Sequence, residues 1–447
     1  MSSQNTTICA LASAVGQGGI GIVRISGDMA KTIARKTLGF VPKPRYAYYG
    51  AFFNSNNETI DQGVALYFPG PHSFTGEDVL ELQGHGGLTL MREILDSVKQ
   101  MGAVDAQPGE FTKRAFLNGK MDLVQAEAVA DLIQAGSQKS TRSALRSLSG
   151  VFSKKVNALT QGLIDLRVFV EATIDFSDEE IDFLSSGEVK DKLLTIQQKI
   201  SDILASANQG AILREGLYVA IAGKPNAGKS SLLNALTQQD SAIVTDIAGT
   251  TRDVLKETIH VEGMPLNIID TAGLHHSDDE IELEGIKRAH SEIQKADLVL
   301  LVFDEKEEKA DLSILPDGLD DTPLLLIKNK IDLTGERPQL QNFENFKQIS
   351  MSAKALDGID LLKKELVQIA GLNDIGDGVI LARNRHIQAL NDSLISVENA
   401  LDQLNSGSVE LLAEDLRQAA LYLGSITGEF TSDDLLGEIF SSFCIGK

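Results

Sequence analysis

Leu217-Tyr-Val-Ala-Ile-Ala222, followed by Gly223-Lys-Pro-Asn-Ala-Gly228-Lys229-Ser230, is the stretch whose reading decides the fold. An apolar strand-like run feeds a G-x-x-x-x-G-K-[ST] loop, and the helical run Ser231–Leu236 follows. Glycines let backbone N–H groups wrap phosphates, and the helix N-terminus adds positive potential. Lys229 can reach the outer phosphates, and the Ser230 hydroxyl can hold Mg²⁺. Asn226, Ala227, Gly228, Lys229, Ser230 and Ser231 are therefore the phosphate-binding candidates.

Three further segments follow in order, each at the end of a predicted strand. Asp270-Thr271-Ala272-Gly273 follows Leu266–Ile269, where an Asp can support the Mg²⁺ shell and Gly273 can donate to a γ-phosphate. Asn329-Lys330-Ile331-Asp332 follows Leu324–Ile327. The Asp332 carboxylate can accept the two N–H groups that guanine offers and adenine does not. Ser352-Ala353-Lys354 follows Gln348–Ser350 and can support the base. Thr245-Asp246-Ile247-Ala248-Gly249-Thr250-Thr251-Arg252-Asp253 occupies the position of a switch loop that closes over phosphate. Together these segments specify a Ras-like GTPase module. Leu274 stands where such modules carry a water-orienting Gln. Another group must orient the water: the acidic stretch Asp278, Asp279, Glu280, Glu282, Glu284, or His275 and His276.

Outward from this module, residues 217–371 alternate strands and helices, as in a mostly parallel sheet covered by helices. Ten prolines are unevenly spread, with none between Pro108 and Pro225 and none after Pro338. Both proline-free blocks show apolar residues at helical spacing: Leu123, Ala126, Ala130, Ile133 in one, and Ile387, Leu390, Leu394, Val397, Leu401, Leu404 in the other. Asn118-Gly119 is a turn, Asp122 an N-cap, and Gln125 completes a capping box. A 74-residue block is thin as a core of its own. One helical domain, 119–213 with 374–447, interrupted by the module at 217–371, is the economical reading. Residues 1–118 read as mixed, with strands at Gly18–Gly27 and Val79–Gln83 and helices at Met29–Thr37 and Leu88–Met101.

The 447 residues are 43% apolar, which excludes a disordered chain. No apolar run is long enough for a membrane helix, and Met1–Ala14 lacks a basic signal-peptide start. A cytoplasmic protein without membrane association is expected. Cys9 and Cys444 are the only cysteines, too few for a disulfide framework or a cysteine zinc cluster. A net charge of −22 argues against a broad nucleic-acid-binding surface. Gln138–Lys155 is the exception, with Lys139, Arg142, Arg146, Lys154, Lys155 and no acid. Its Lys139, Arg142 and Arg146 share a helical face opposite Leu145, Leu148 and Phe152. That face suits nucleic-acid phosphates or is an ordinary solvated one.

The phosphate loop, the Asp-Ile-Ala-Gly-Thr-Thr-Arg-Asp switch, the terminal Cys444-Ile-Gly-Lys447, Gly-Ile-Gly-Ile-Val-Arg-Ile-Ser-Gly and Arg114-Ala-Phe-Leu-Asn-Gly-Lys-Met-Asp-Leu closely resemble the TrmE-type (MnmE) tRNA-modification GTPase family along the whole chain. The resemblance implies a mixed α/β N-terminal folate-binding and dimerisation domain (1–118), a discontinuous helical domain and an inserted G domain. It implies a homodimer that joins a flavoprotein, MnmG (GidA), in a heterotetramer. Together they place an aminomethyl or carboxymethylaminomethyl group at position five of a tRNA wobble uridine. The implied cofactors are GTP, Mg²⁺, K⁺ and 5-formyl-tetrahydrofolate or another tetrahydrofolate one-carbon derivative. The family's potassium site falls on Asn226, Thr245, Ile247 and Thr250. Its Mg²⁺ ligands fall on Ser230 and Thr251, and its water-positioning acid on Glu282. Its folate residues fall on Arg24, Glu81, Lys120 and Lys447. From the residues alone, Arg24 ends an apolar strand stripe as either a functional group or a strand-end gatekeeper. Glu81 lies on a half-polar strand face, and Lys120 merely follows a turn. Phe440 and Phe443 can anchor the tail, leaving Cys444 as a catalytic thiol or a bystander. The competing readings are a ribosome-assembly-type GTPase switch and a folate-sensing GTPase without RNA chemistry.

Overall fold

The computed structural model describes residues 6–175, 187–239, 256–270, 290, 291, 293–307, 309–316, 319, 322–372, 380–429, 433–441 and 443–446. In chain order the first elements are β1 (Ile8–Leu11), β2 (Gly18–Ser26), α1 (Ala30–Leu38), β3 (Tyr48–Phe53), β4 (Thr59–Phe68), β5 (Val79–Gly86), α2 (Leu88–Gln100), β6 (Val104–Asp105) and α3 (Glu110–Leu117). Helices α4 (Leu123–Gln134), α5 (Gln138–Leu148), α6 (Val151–Asp175) and α7 (Glu188–Glu215) follow. Then come β7 (Leu217–Ala222), α8 (Lys229–Gln239), β8 (Lys256–Val261), β9 (Met264–Asp270), β10 (Leu298–Asp304), β11 (Leu324–Asn329), β12 (Gln339–Phe343), β13 (Phe346–Ser350) and α9 (Ile359–Ile369). The chain closes with α10 (Asn384–Ser406), α11 (Val409–Thr427) and α12 (Asp433–Ser441). Among the described residues no helix is long and apolar enough to cross a membrane.

The chain forms two compact units. The first comprises Met1–Ile133, Ser147–Ile196 and Asp392–Lys447; the second comprises Gln134–Arg146 and Gln197–Asn391. Their boundaries fall inside α4, α5, α7 and α10.

The first unit holds a six-stranded sheet in the order β3-β4-β5-β2-β1-β6. Alternation along β2 and β5 sends Val23, Ile25, Leu80 and Leu82 to one face, where α1 and α2 bury them with Ile33, Ile94 and Val98. The opposite face is half-exposed. In the same unit α6 packs along α11. Asp122 and Gln125 make the expected reciprocal capping box. The Gln125 amide donates to Asp122 Oδ1 at 2.9 Å, and the Asp122 amide donates to Gln125 Oε1 at 3.0 Å.

The second unit is a seven-stranded sheet, β12-β13-β11-β10-β7-β9-β8. The five strands from β13 to β9 are parallel, and β12 and β8 close the edges antiparallel. Strand β10 is buried from Leu298 to Phe303, as expected for a parallel strand covered on both faces.

One expectation is corrected here. Leu145 is 49% exposed, not buried. Helix α5 stops at Leu148, Gly150 takes a left-handed φ of 78°, and Phe152, Lys154 and Lys155 belong to α6. Helix α5 instead buries its small residues, Ser140, Ser143, Ala144 and Ser147. Lys139 and Arg142 are exposed and Arg146 half-buried.

Replacing Asp122 by Ala removes the side-chain half of the capping box, the bond from the Gln125 amide to Asp122 Oδ1, a loss of about 1 kcal/mol. Amides in the first turn of α4 should then exchange about fivefold faster in hydrogen-exchange mass spectrometry. Asp122→Asn should stay close to the wild-type rate.

Candidate functional site

Strand β7 delivers the chain into the phosphate loop beside β10. Gly223 lies so close to the Val302 carbonyl that any Cβ would collide with it, and its φ of 150° already disfavours one. Gly228 is pressed in the same way against the Asn329 carboxamide. Asn226 takes a left-handed φ of 58°. Lys229 opens α8, and its ammonium donates to the carbonyls of Gly223 at 2.7 Å and Lys224 at 3.0 Å, so it lies over its own loop. Ser230 and Ser231 are exposed in the first helical turn, where amide groups lack intrahelical acceptors.

Asn329, 2% exposed, links three loops. Its Nδ2 donates to the Ala227 carbonyl at 3.0 Å, and its Oδ1 accepts the Ala353 amide at 3.0 Å. Ser352 donates its hydroxyl to Asp332 Oδ1 at 2.6 Å and accepts the Ala355 amide at 3.1 Å, which fixes the exposed Asp332 carboxylate. Lys330, at a left-handed φ of 69°, pairs with Asp304 at 2.6 Å. That ammonium holds the Asp304 carboxyl below its ordinary range. Lys354 is exposed. Asp270 ends β9 in register with Ile221. Thr245, Asp246, Ile247, Ala248, Gly249, Thr250, Thr251, Thr271, Ala272, Gly273 and Glu282 lie outside the described residues. The glycine cradle, the helix start and the oriented Asp332 fit a guanine nucleotide.

A second cluster forms on the half-exposed face of the first unit's sheet. Arg24 and Glu81 are cross-strand partners on β2 and β5, and Arg24 Nε meets Glu81 Oε1 at 2.9 Å. Phe74 and Phe111 flank the guanidinium, with ring centroids 5.6 and 5.8 Å away. Lys120 donates to the Pro71 carbonyl at 3.0 Å, in the same 69–78 loop that carries Phe74. Neither aromatic was singled out by the sequence reading; the Pro- and Gly-rich run from Pro69 to Gly76 was the signal for a structured loop.

The tail reaches this neighbourhood. Phe440 and Phe443, 5.3 Å apart, pack with Leu123, Ala126 and Ala130. The Cys444 carbonyl accepts the Gly109 amide at 3.4 Å, two residues before Phe111. Gly446 lies against Leu11 and Ala12 at a φ of 94°. Cys444 is exposed, whereas Cys9 is buried. Burial, then the Asp105 charge, pushes the Cys9 thiol up from 9.0 to about 12. Lys447 is outside the described residues.

The described geometry thus assembles Arg24, Glu81 and Lys120 around one loop and Asn226–Ser231, Asn329–Asp332 and Ser352–Lys354 around another. Comparison with known proteins gives two family matches: the GTP-binding protein TrmE N-terminus over residues 7–120 and the MnmE helical domain over residues 123–444. The chain is 67% identical over 447 residues to a tRNA modification GTPase MnmE of Ruthia magnifica subsp. Calyptogena magnifica, covering 100% of both. It is 66% identical to one from Vesicomyosocius okutanii, again over 100% of both. It is 54% identical to one from Hydrogenovibrio crunogenus, over 100% of this chain and 99% of that one.

Thiol alkylation at pH 8 should modify Cys444 alone in the folded protein and both cysteines after denaturation, read by intact mass. As pH rises from about 9 toward 12, the unfolded chain loses the Cys9 proton first. The stability that the buried neutral thiol contributes is therefore lost across that window.

Proposed function

This chain belongs to the MnmE (TrmE) family of tRNA modification GTPases, and on that premise we propose that its GTP hydrolysis is potassium-stimulated and serves wobble-uridine modification with a flavoprotein partner. The chain is a GTPase acting on tRNA. The observation that carries the finer reading is the presence in one chain of a guanine-nucleotide frame, tied by Asn329, and a separate Arg24–Glu81 cluster beside the Cys444 tail. A GTPase switch alone has no use for the second cluster.

In this reading the phosphate-loop amides and Lys229 bind the phosphates, and Asp332 selects guanine. Ser230 and Thr251 would hold Mg²⁺, and Asn226, Thr245, Ile247 and Thr250 would hold K⁺. A cation there would offset charge that develops on the leaving phosphate oxygen, as an arginine finger does. Glu282 positions the attacking water, since Leu274 cannot. Arg24, Glu81, Lys120 and Lys447 bind a tetrahydrofolate derivative, which supplies the one-carbon unit. The guanidinium between two rings suits an anionic, partly aromatic ligand, so the described residues fit that class. Cys444 is exposed on an anchored tail, as a thiol that acts on RNA must be. The protein works as a homodimer with MnmG (GidA) in the cytoplasm.

GTP hydrolysis should run faster in K⁺ than in Na⁺, and Asn226→Ala should lose the difference; equal wild-type rates in both salts would refute the potassium site. A strain lacking the gene should lack the substituted wobble uridine by nucleoside mass spectrometry. Wild type should restore it, and Cys444→Ser should hydrolyse GTP yet restore none.

A further inference from the structure

We infer that His85 is a proton-transfer residue of the modification reaction, with Asp61 as its positioning residue on the neighbouring strand. The inference rests on the proposed function and adds a group that it does not use.

Strand β4 pairs with β5 from Phe68↔Val79 to Val64↔Gln83 and no further. At the next position the carboxylate of Asp61 replaces a main-chain partner. Its Oδ2 accepts the His85 amide at 2.8 Å, and its Oδ1 pairs with His85 Nδ1 at 2.8 Å. Oδ1 also accepts the Gln62 amide at 2.7 Å. The Asp61 side chain is 8% exposed, whereas the His85 side chain is 73% exposed. Burial raises the Asp61 carboxyl, but the His85 ring and amide and the Gln62 amide outweigh it, and the carboxyl lies below its usual value. An ionised Asp61 forces the neutral ring to carry its proton on Nδ1, leaving the Nε2 lone pair aimed at solvent. Glycine at position 84 permits this, because a Cβ there would strike Asp61 Oδ2. A carboxylate removed from water to orient an exposed imidazole is the arrangement that proton transfer requires.

Its location fits. Alternation puts Glu81, Gln83 and His85 on one face of β5, the half-exposed face that carries Arg24. His85 is about 14 Å along the strand from Glu81, at ~3.4 Å per residue. Gln83 lies between, its amide 3.4 Å from Glu81 Oε2. The charged groups on the elements around His85 are Asp61 from β4 and Glu81 on β5. Strand β2 passes Gly18–Gly21 alongside, with no ionisable side chain, and α2 packs on the opposite, buried face. The substrate class is a pyrimidine ring of RNA. Substitution at C5 would form a carbon–carbon bond to an electrophilic one-carbon unit, whose own C=N or C=O π pair would move to its heteroatom, and would then break the C5–H bond. That electron pair returns to the ring, and the proton needs an acceptor. Neutral Nε2 takes it, and Asp61 stabilises the imidazolium.

The test begins with the full-length wild-type protein. Nitrogen-15 NMR should show the neutral His85 ring protonated on Nδ1, and Asp61→Asn should move that proton to Nε2. In the complemented deletion strain, His85→Gln should keep the wild-type melting temperature and lower the rate of wobble-uridine modification by about 10²-fold. With purified components, Asp61→Asn should lower the modification rate while GTP hydrolysis stays at the wild-type value. An Nε2–H ring in the wild type, or wild-type modification by His85→Gln, overturns the inference. Failure of the wild type itself to restore modification would instead refute the proposed function. The tautomer measurement needs no substitution, so it decides the matter even where a variant fails to fold.

Discussion

The Asn329 carboxamide is the constraint on which the nucleotide site depends. It is buried, uses its donor on the phosphate loop and its acceptor on the base-side loop, and touches Gly228 so closely that no larger residue fits there. The loops at residues 223–228, 329–332 and 352–354 come from three different strand ends. Without a common partner they would be three independent surface loops, each with its own conformational freedom. Asn329 converts them into one frame, and the Asp332–Ser352 hydrogen bond extends it to the guanine edge.

The N-terminal sheet solves a different problem by similar means. One of its faces is closed by α1 and α2, and the other keeps a row of polar side chains: Arg24, Glu81, Gln83 and His85. Each charged member is held by a neighbour rather than left to solvent. Arg24 is paired with Glu81 and flanked by two rings, and His85 is held by Asp61. Surface ion pairs stabilise a fold little; in the proposed function this order preorganises the face for a ligand.

Much of this was legible in the sequence where pattern and chemistry coincide. The strand β7 and the capping box at Asp122 were read at their observed positions, because a buried parallel strand is continuously apolar and a cap is a two-residue code. Strands β8 and β12 were missed, since Lys256–Val261 and Gln339–Phe343 are edge strands with few apolar residues, and their pairing is decided by the strand beside them. Phe152 was placed on one helix with Leu145 and Leu148 because the apolar period was carried past Gly150, where a left-handed backbone separates two helices. The burial of α5 through serines carries no hydrophobic signal at all. The contact between Asn329 and Ala227 spans 102 positions, and no local pattern encodes it.

Guanine-nucleotide affinity of Asn329→Ala, measured by fluorescent-nucleotide titration beside the wild type, tests the central claim most directly. The substitution leaves the Ala353 amide and the Ala227 carbonyl without their partner, at about 1–3 kcal/mol each. The account predicts a loss of affinity of at least about tenfold, with the melting of the N-terminal unit unchanged. Affinity within about twofold of the wild type would contradict it, and would mean that the three loops hold their geometry without the carboxamide.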